Sequence, residues 1–247
     1  MKAMVFAAGL GTRLRPLTDS MPKALAPVAG RPALQHVLEH IKSAGIKDVV
    51  VNVHHFPEQI CRFLDEHDNF GLNVCISDES DKLLDTGGGL LRALPLLGDD
   101  EPVLLHNADI WTDVDLSRFI GFYESKKTDA ALLAWERNSS RRLLFDESGR
   151  MAGWCNILNG ETRPSNMNAD SFRMLAFGGI HIISPSLFPA LDEYGIKYGP
   201  VFSITPFYVD VCRRAEILLF YPKNRFNWFD IGKPESLKQA SDFVKNQ

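Results

Sequence analysis

The chain has 247 residues, a formal net charge of −4, 45% hydrophobic residues and 23% charged residues. These proportions are ordinary for a folded globular protein and supply enough apolar side chains for a core without disulfides. The negative net charge argues against a general nucleic-acid-binding surface, and no apolar run in the sequence approaches the roughly 18 residues of a membrane helix.

The first half of the chain alternates predicted strands with predicted helices. Strands are expected at residues 3–6, 48–53, 72–76 and 102–106, and helices at residues 32–44, from residue 57 and at residues 86–97. In the first of these helices the apolar residues recur on one face, and Gly45 ends the helix. This alternation predicts a doubly wound, mostly parallel sheet.

The pattern changes after about residue 129. Further strands are expected at residues 130–134, 143–145, 174–183 and 216–220, helices at 206–213 and 235–245, and a flexible, asparagine-rich loop at 159–170. The predicted fold class is α/β and Rossmann-like, with a mostly parallel mixed sheet that the later strands extend. We expect one domain over residues 1–247, with a first half at about 1–128 and a second at about 129–247.

The cysteines and the N-terminus indicate a cytoplasmic protein. Cys61, Cys75, Cys155 and Cys212 lack the Cys-x-x-Cys spacing of zinc and redox sites, so we expect buried free thiols in a reducing compartment. The apolar stretch at residues 4–8 is too short for a signal peptide and meets glycine at once.

A glycine-rich turn after the first predicted strand carries the strongest functional signal. Gly9 and Gly11 allow backbone N–H groups to approach phosphate oxygens, because no Cβ stands in the way. Arg13 and Lys23 add positive charge to the same segment. An ordinary tight turn is one alternative. A dinucleotide-binding fingerprint is another, but Leu14 replaces its third glycine, and the Gly-Lys-Ser/Thr of a P-loop is missing. The turn therefore favours nucleotide-phosphate binding.

Two aspartates are candidate metal ligands. Asp109 follows the fourth predicted strand, where ligands of an open α/β sheet bind, and Asp230 follows much later in a Trp-x-Asp-x-Gly pattern. Mg²⁺ prefers one or two carboxylates together with substrate oxygens and water. Each aspartate has an alternative role as a cap or turn residue, and the sequence alone leaves open whether the two converge.

Two further glycine clusters indicate a close approach to the backbone. Gly87, Gly88 and Gly89 open a predicted helix although each costs roughly 1 kcal/mol relative to alanine there. A plain strand-to-helix turn is the alternative. Gly178 and Gly179 lie in a predicted strand, where glycine usually marks a bulge or a close neighbour.

Together these segments resemble the sugar-1-phosphate nucleotidyltransferases, over nearly the whole chain. The resemblance lies in residues 7–18, 22–32, 84–89, 107–113, 177–180 and 228–232. It implies the reaction of a nucleoside triphosphate with a sugar 1-phosphate to give a nucleotide sugar and pyrophosphate. It also implies nucleotide contacts from Ala7, Ala8, Gly9, Gly11, Thr12, Arg13, Lys23, Thr86, Gly87 and Gly88.

The same resemblance assigns the remaining roles. Arg13 and Lys23 would be catalytic, Asp109 and Asp230 would hold Mg²⁺, and the sugar would contact Asn107, Gly178 and Gly179. The expected partners are the two small-molecule substrates, without nucleic acid or membrane, and the expected state is a monomer or homodimer. Many members of the family carry a C-terminal left-handed β-helix of hexapeptide repeats, and we expect none in this chain.

One departure from the family limits the identification of the sugar. Several members have a Glu-Lys-Pro motif whose lysine binds the sugar phosphate, whereas residues 139–168 contain no lysine. Arg141, Arg142 or Arg163 could substitute for that lysine. The chain most resembles members that uridylylate N-acetylmuramate α-1-phosphate. The alternatives are mannose-1-phosphate guanylyltransferases, enzymes of other hexose or heptose 1-phosphates, and a catalytically silent regulatory paralogue.

Overall fold

The computed structural model describes residues 1–246 as an α/β structure. Its strands are β1 (Lys2–Phe6), β2 (Pro27–Val28), β3 (Arg31–Pro32), β4 (Asp48–Val53), β5 (Asn73–Asp78), β6 (Val103–Asn107), β7 (Ile110–Thr112), β8 (Ala130–Trp135), β9 (Arg141–Phe145), β10 (Met151–Asn156), β11 (Glu161–Arg163), β12 (Arg173–Ile183), β13 (Ile217–Phe220) and β14 (Trp228–Asp230). Its α-helices are α1 (Ala33–Ser43), α2 (Pro57–Glu66), α3 (Asp85–Leu97), α4 (Leu116–Lys126), α5 (Phe188–Tyr198), α6 (Ile204–Val211) and α7 (Pro234–Lys245).

Ten strands form one mixed sheet, which confirms the predicted fold class. Its main path runs β11-β10-β9-β12-β6-β1-β4-β5, and β8 pairs with both β12 and β13. Strands β6, β1, β4 and β5 are mutually parallel, as expected for a doubly wound fold. The long strand β12 runs antiparallel to β6, β8 and β9, and so connects the parallel part to the antiparallel extension formed by β9, β10 and β11.

Strand β1 shows how the helices cover both faces of the sheet. Successive side chains on a strand point to opposite faces, and all of β1 except its first residue is buried. Met4 and Phe6 pack with residues of α3, α5 and α6, whereas Ala3 and Val5 pack with residues of α1, α2 and α4. The central strands are therefore buried on both sides, which explains their continuous apolar sequences.

The register of β1 and β6 positions the candidate site. These neighbouring strands are parallel, and Phe6 pairs with Asn107 at their carboxyl ends. The glycine-rich turn and the segment that carries Asp109 therefore leave the same edge of the sheet side by side. In open α/β sheets ligands bind at this edge, beyond the carboxyl ends of the strands.

Three sequence-based expectations need correction. The predicted flexible loop at 159–170 contains β11, because Trp154 pairs with Arg163, and the guanidinium carbon of Arg163 lies 5.4 Å from the centre of the Trp154 ring. Helices α4 and α5 were not predicted. All four cysteines are free, but Cys75 is exposed and Cys61 is half-buried, so only Cys155 and Cys212 are the buried thiols expected.

Across residues 1–246, no helix combines the length and apolar character that crossing a lipid bilayer requires.

Two buried histidines lie in the middle of the sheet, on β6 and β12. Burial, and to a smaller extent neighbouring His40, lowers the pKa of His106 to about 3. Burial also lowers the pKa of His181 to about 3. Both rings are therefore neutral near pH 7. His181 Nδ1 shares a 2.7 Å hydrogen bond with the hydroxyl of Tyr208, which connects β12 to α6.

We expect Tyr208→Phe to lower the free energy of unfolding by about 1–3 kcal/mol, because His181 then loses its buried partner. Urea denaturation measures this difference. Tyr198→Phe is the matched control, since Tyr198 is 53% exposed. Equal unfolding midpoints for wild type and Tyr208→Phe would contradict the assigned role of this hydrogen bond.

Candidate active site

A cleft of about 370 Å³ opens where β1 and β6 end. We call it the nucleotide cleft. Its lining residues are Phe6, Ala7, Ala8, Gly9, Lys23, Ala24, Asn52, Glu79, Leu83, Asp85, Thr86, Asn107, Ala108, Asp109 and Val201. The first strand, the glycine-rich turn, the start of α3 and the segment after β6 thus meet at one place.

The two glycines of the glycine-rich turn have different structural roles. Gly11 has a φ of +64°, and a Cβ there would lie 2.8 Å from Thr18 Cγ2 and 2.9 Å from Lys23 Cβ. Gly11 is therefore required by the backbone and by packing. A Cβ on Gly9 would meet nothing within 4 Å, and Gly9 lines the nucleotide cleft. At Gly9 the missing side chain leaves room for a ligand.

The short strands β7 and β14 bring the two aspartates together. They pair antiparallel, with Asp230 opposite Ile110, and the N–H of Ile231 donates to the carbonyl of Asp109 at 2.9 Å. Asp230 therefore lies beside Asp109 although the two are far apart in the sequence. This pairing supplies the convergence that the sequence left open.

Three charged side chains lie against Gly232, and a fourth, Asp109, pairs with one of them. A Cβ on Gly232 would lie 2.7 Å from Arg13 Nη2, 2.7 Å from Lys23 Nζ and 2.8 Å from Asp230 Oδ1. Lys23 forms an ion pair with Asp109, and its side chain is 11% exposed. We call Arg13, Lys23, Asp109 and Asp230 the charged cluster. Because Gly232 has no side chain, Arg13, Lys23 and Asp230 can all approach its backbone closely.

The charged cluster fits a Mg²⁺ site. Mg²⁺ binds through one or two carboxylates while substrate phosphates and water supply its other ligands. Asp109 and Asp230 provide those two carboxylates, and in residues 1–246 no group of three or more His, Cys, Asp and Glu side chains has metal-binding geometry. Two carboxylates are the donor set expected for a Mg²⁺ whose other ligands come from a phosphate substrate and water.

A buried polar network beside the nucleotide cleft was not predicted. The N–H of Ala7 donates to Asn52 Oδ1 at 2.7 Å, and Asn52 Nδ2 donates to Glu79 Oε1 at 2.7 Å. Glu79 also accepts from the N–H of Leu84 at 3.1 Å, and it is fully buried. Burial raises the pKa of Glu79 above its ordinary value. A polar Asn52 inside the apolar strand β4 was the available sequence signal.

The glycines at the start of α3 pack against the chain itself. The N–H groups of Gly87 and Gly88 donate to the carbonyl of Phe202 at 2.8 and 3.1 Å. A Cβ on Gly88 would lie 2.0 Å from the carbonyl oxygen of Pro200. Thr86 lines the nucleotide cleft, whereas the two glycines allow the segment at 200–202 to close over the helix start.

Gly178 and Gly179 also have close neighbours within the chain. Gly179 has a φ of +72°, and a Cβ there would lie 2.9 Å from Asn107 Nδ2. A Cβ on Gly178 would lie 2.7 Å from a ring carbon of Trp135. Asn107 lines the nucleotide cleft and Phe177 lines a neighbouring pocket, so this part of β12 borders both.

The neighbouring pocket has a volume of about 500 Å³ and lies between the sheet extension and α6. We call it the arginine pocket. Its lining residues are Arg137, Ser139, Arg141, Arg142, Leu143, Trp154, Asn156, Glu161, Arg163, Phe177, Ser203, Thr205, Pro206 and Val209. It contains all three arginines that the sequence offered as substitutes for the missing lysine.

Comparison with known proteins shows that the chain is a sugar-1-phosphate nucleotidyltransferase. A family model described as "Nucleotidyl transferase" matches residues 2–142, and the chain belongs to that family.

Two relatives match over almost their whole length. The chain is 31% identical to N-acetylmuramate alpha-1-phosphate uridylyltransferase of Caulobacter vibrioides, over 95% of this chain and 93% of that protein. It is 32% identical to the protein of the same name from Neisseria meningitidis serogroup B, over 97% and 96%. A crystal structure of UDP-glucose pyrophosphorylase complexed with UDP-glucose has a TM-score of 0.80 at 20% identity, covering 100% of both chains, and so shares the fold.

We expect Gly232→Ala to lower activity while leaving the fold intact. The added methyl group displaces Arg13, Lys23 and Asp230, and a misplacement of about 1 Å in such a site costs on the order of a hundredfold in rate. The displaced atoms end flexible side chains, so the thermal unfolding midpoint should change little. Steady-state kinetics and thermal unfolding measure the two effects.

Gly121→Ala is the matched control for this substitution. Gly121 lies in α4, and a Cβ there would meet nothing within 4 Å. The Gly121→Ala variant should retain full activity. Wild-type kinetics in Gly232→Ala would mean that the close approach of Arg13, Lys23 and Asp230 to Gly232 has no part in the site.

Proposed function

We propose that this protein transfers a uridylyl group from UTP to N-acetylmuramate α-1-phosphate, giving UDP-N-acetylmuramate and pyrophosphate in cytoplasmic peptidoglycan recycling. The observation that supports nucleotidyl transfer is the convergence of the charged cluster beside the nucleotide cleft. Similarity over nearly full length to two uridylyltransferases of that name supports the substrates.

The reaction needs positioning and charge neutralisation more than proton transfer. The attacking phosphate oxygen of the sugar is already anionic near pH 7, so no general base is required. Arg13 would bind the departing β- and γ-phosphates, and Lys23 would bind the α-phosphate, which lowers the cost of developing negative charge. The nucleotide cleft would hold the two substrates in line, and such orientation is itself a large part of the rate enhancement.

Asp109 and Asp230 would hold Mg²⁺. When bound, Mg²⁺ supplies charge neutralisation and polarises phosphoryl oxygens. Lys23 forms an ion pair with Asp109 in this structure, so Lys23 keeps that carboxylate charge-balanced.

The other residues assigned from the sequence would contact the triphosphate, the nucleobase and the sugar. Ala7, Ala8, Gly9, Gly11 and Thr12 would surround the triphosphate. At the base end, Thr86 would face the nucleobase, with Gly87 and Gly88 allowing the 200–202 segment to pack behind it. Asn107, Gly178 and Gly179 would lie against the sugar. In this arrangement both halves of residues 1–247 act as one domain, as a monomer or homodimer, without nucleic acid or membrane.

The test of the proposal is pyrophosphate release with Mg²⁺, crossing UTP and GTP against N-acetylmuramate, N-acetylglucosamine and mannose 1-phosphates. The expected result is a strong preference for UTP with N-acetylmuramate 1-phosphate. Preference for GTP with mannose 1-phosphate would overturn the proposed substrates. Binding of nucleotide sugars without turnover in any combination would favour a regulatory paralogue.

We expect Asp109→Asn to lower kcat by at least about a hundredfold, because the lost carboxylate stabilises charge in the transition state through the metal. Asp65→Asn is the control, since Asp65 is exposed on α2. Circular dichroism spectra of both variants establish that the fold is kept. Full turnover by Asp109→Asn would remove Asp109 from the proposed mechanism.

A further inference from the structure

The arginine pocket carries more positive charge than its own residues neutralise. Arg137, Arg141, Arg142 and Arg163 line it, and Glu161 is the single carboxylate among the described residues that do so. Two nitrogens of Arg163 bond to Glu161 Oε1 at 2.9 and 3.0 Å, so this arginine is already paired. Within residues 1–246 the other three have no carboxylate at salt-bridge distance.

Arg137 lines the arginine pocket and lies against Trp228, two residues before Asp230 of the charged cluster. Its Nη2 donates to the carbonyl of Phe177 at 2.9 Å, and its guanidinium carbon lies 4.3 Å from the centre of the Trp228 ring. Its buried Nε has no hydrogen-bond partner in the described part of the chain. Burial lowers the pKa of Arg137, and the negative charge of Asp230 opposes that shift. Arg137 is thus placed for the phosphate end of a sugar 1-phosphate.

Arg141 and Arg142 lie on β9, in the sheet extension. The guanidinium of Arg142 is held in place by the carbonyls of Ser139 at 3.2 Å and Met174 at 3.4 Å. Arg141 is exposed, and the register of β9 and β10 places Asn156 directly opposite it. Both residues line the pocket together with Asn156, and backbone carbonyls orient the guanidinium of Arg142.

We propose that Arg141 and Arg142 form a carboxylate-binding subsite, so that the protein selects a sugar 1-phosphate that bears a second acidic group. This inference rests on the proposed function. Arg137 would bind the phosphate of the sugar and Arg163 is paired with Glu161, which leaves Arg141 and Arg142 for another group of the sugar. A guanidinium group binds a carboxylate through two parallel hydrogen bonds, and hydroxyl groups give no such charge compensation.

The test compares two sugars that differ in this acidic group. N-acetylmuramate 1-phosphate carries a lactyl ether with a carboxylate, and N-acetylglucosamine 1-phosphate is the same sugar without it. We expect Arg142→Gln to lower kcat/KM for the acidic sugar by about tenfold to a hundredfold, with a much smaller change for the neutral sugar. Arg142→Lys should give an intermediate loss, because it keeps the charge but not the planar fork.

Two further variants distinguish a loss of sugar preference from a loss of folding. Arg141→Gln removes a side chain that makes no hydrogen bond within residues 1–246, and it should lower the preference for the acidic sugar without a folding cost. Arg62→Gln, on the exposed face of α2, is the matched control and should leave the preference as in wild type.

The outcomes separate this inference from the proposed function. Equal losses on both sugars in the Arg141 and Arg142 variants, or no preference in wild type, overturn the carboxylate subsite. If wild type turns over neither sugar, the proposed function fails, and calorimetric dissociation constants for the two sugar phosphates then test the subsite. Tighter binding of the acidic sugar that is lost in Arg142→Gln supports it, and equal binding of the two sugars overturns it.

Discussion

The antiparallel pairing of β7 with β14 is the constraint on which the candidate site depends. It places Asp230 opposite Ile110 and lets the N–H of Ile231 donate to the carbonyl of Asp109. Without this short ribbon the two carboxylates would belong to unrelated loops. With it Asp230 meets Arg13 and Lys23 at Gly232, where the absence of a side chain permits their close approach, and Lys23 pairs with Asp109.

Charge balance links this geometry to the proposed reaction. The formal charges of Arg13, Lys23, Asp109 and Asp230 cancel, so the cluster is close to neutral before substrate binds. A triphosphate that binds without a cation leaves its own negative charge uncompensated in a partly buried site, because Arg13 and Lys23 already balance the two aspartates. Mg²⁺ held by Asp109 and Asp230 would offset that charge.

Local sequence signals predicted the parallel half of the fold, because buried strands, helix-stopping glycines and the glycine-rich turn each act over a few residues. Signals between distant segments were missing. The sequence could not bring Asp230 to Asp109, because a three-residue strand such as β7 has no pattern of its own. Nor could it explain Gly88, whose close neighbour is the carbonyl of Pro200. Strand β11 looked like a loop because its own three residues, Glu161–Arg163, are all polar.

The most direct test of the account is the affinity for UTP with and without Mg²⁺, measured by calorimetry in wild type and in Asp230→Asn. We predict that Mg²⁺ tightens UTP binding to wild type markedly, because Arg13 and Lys23 only balance the charges of Asp109 and Asp230 and leave the charge of the triphosphate uncompensated. In Asp230→Asn most of that Mg²⁺ dependence should be lost. An equal effect of Mg²⁺ in both proteins would contradict the claim that the two aspartates act together on the bound nucleotide.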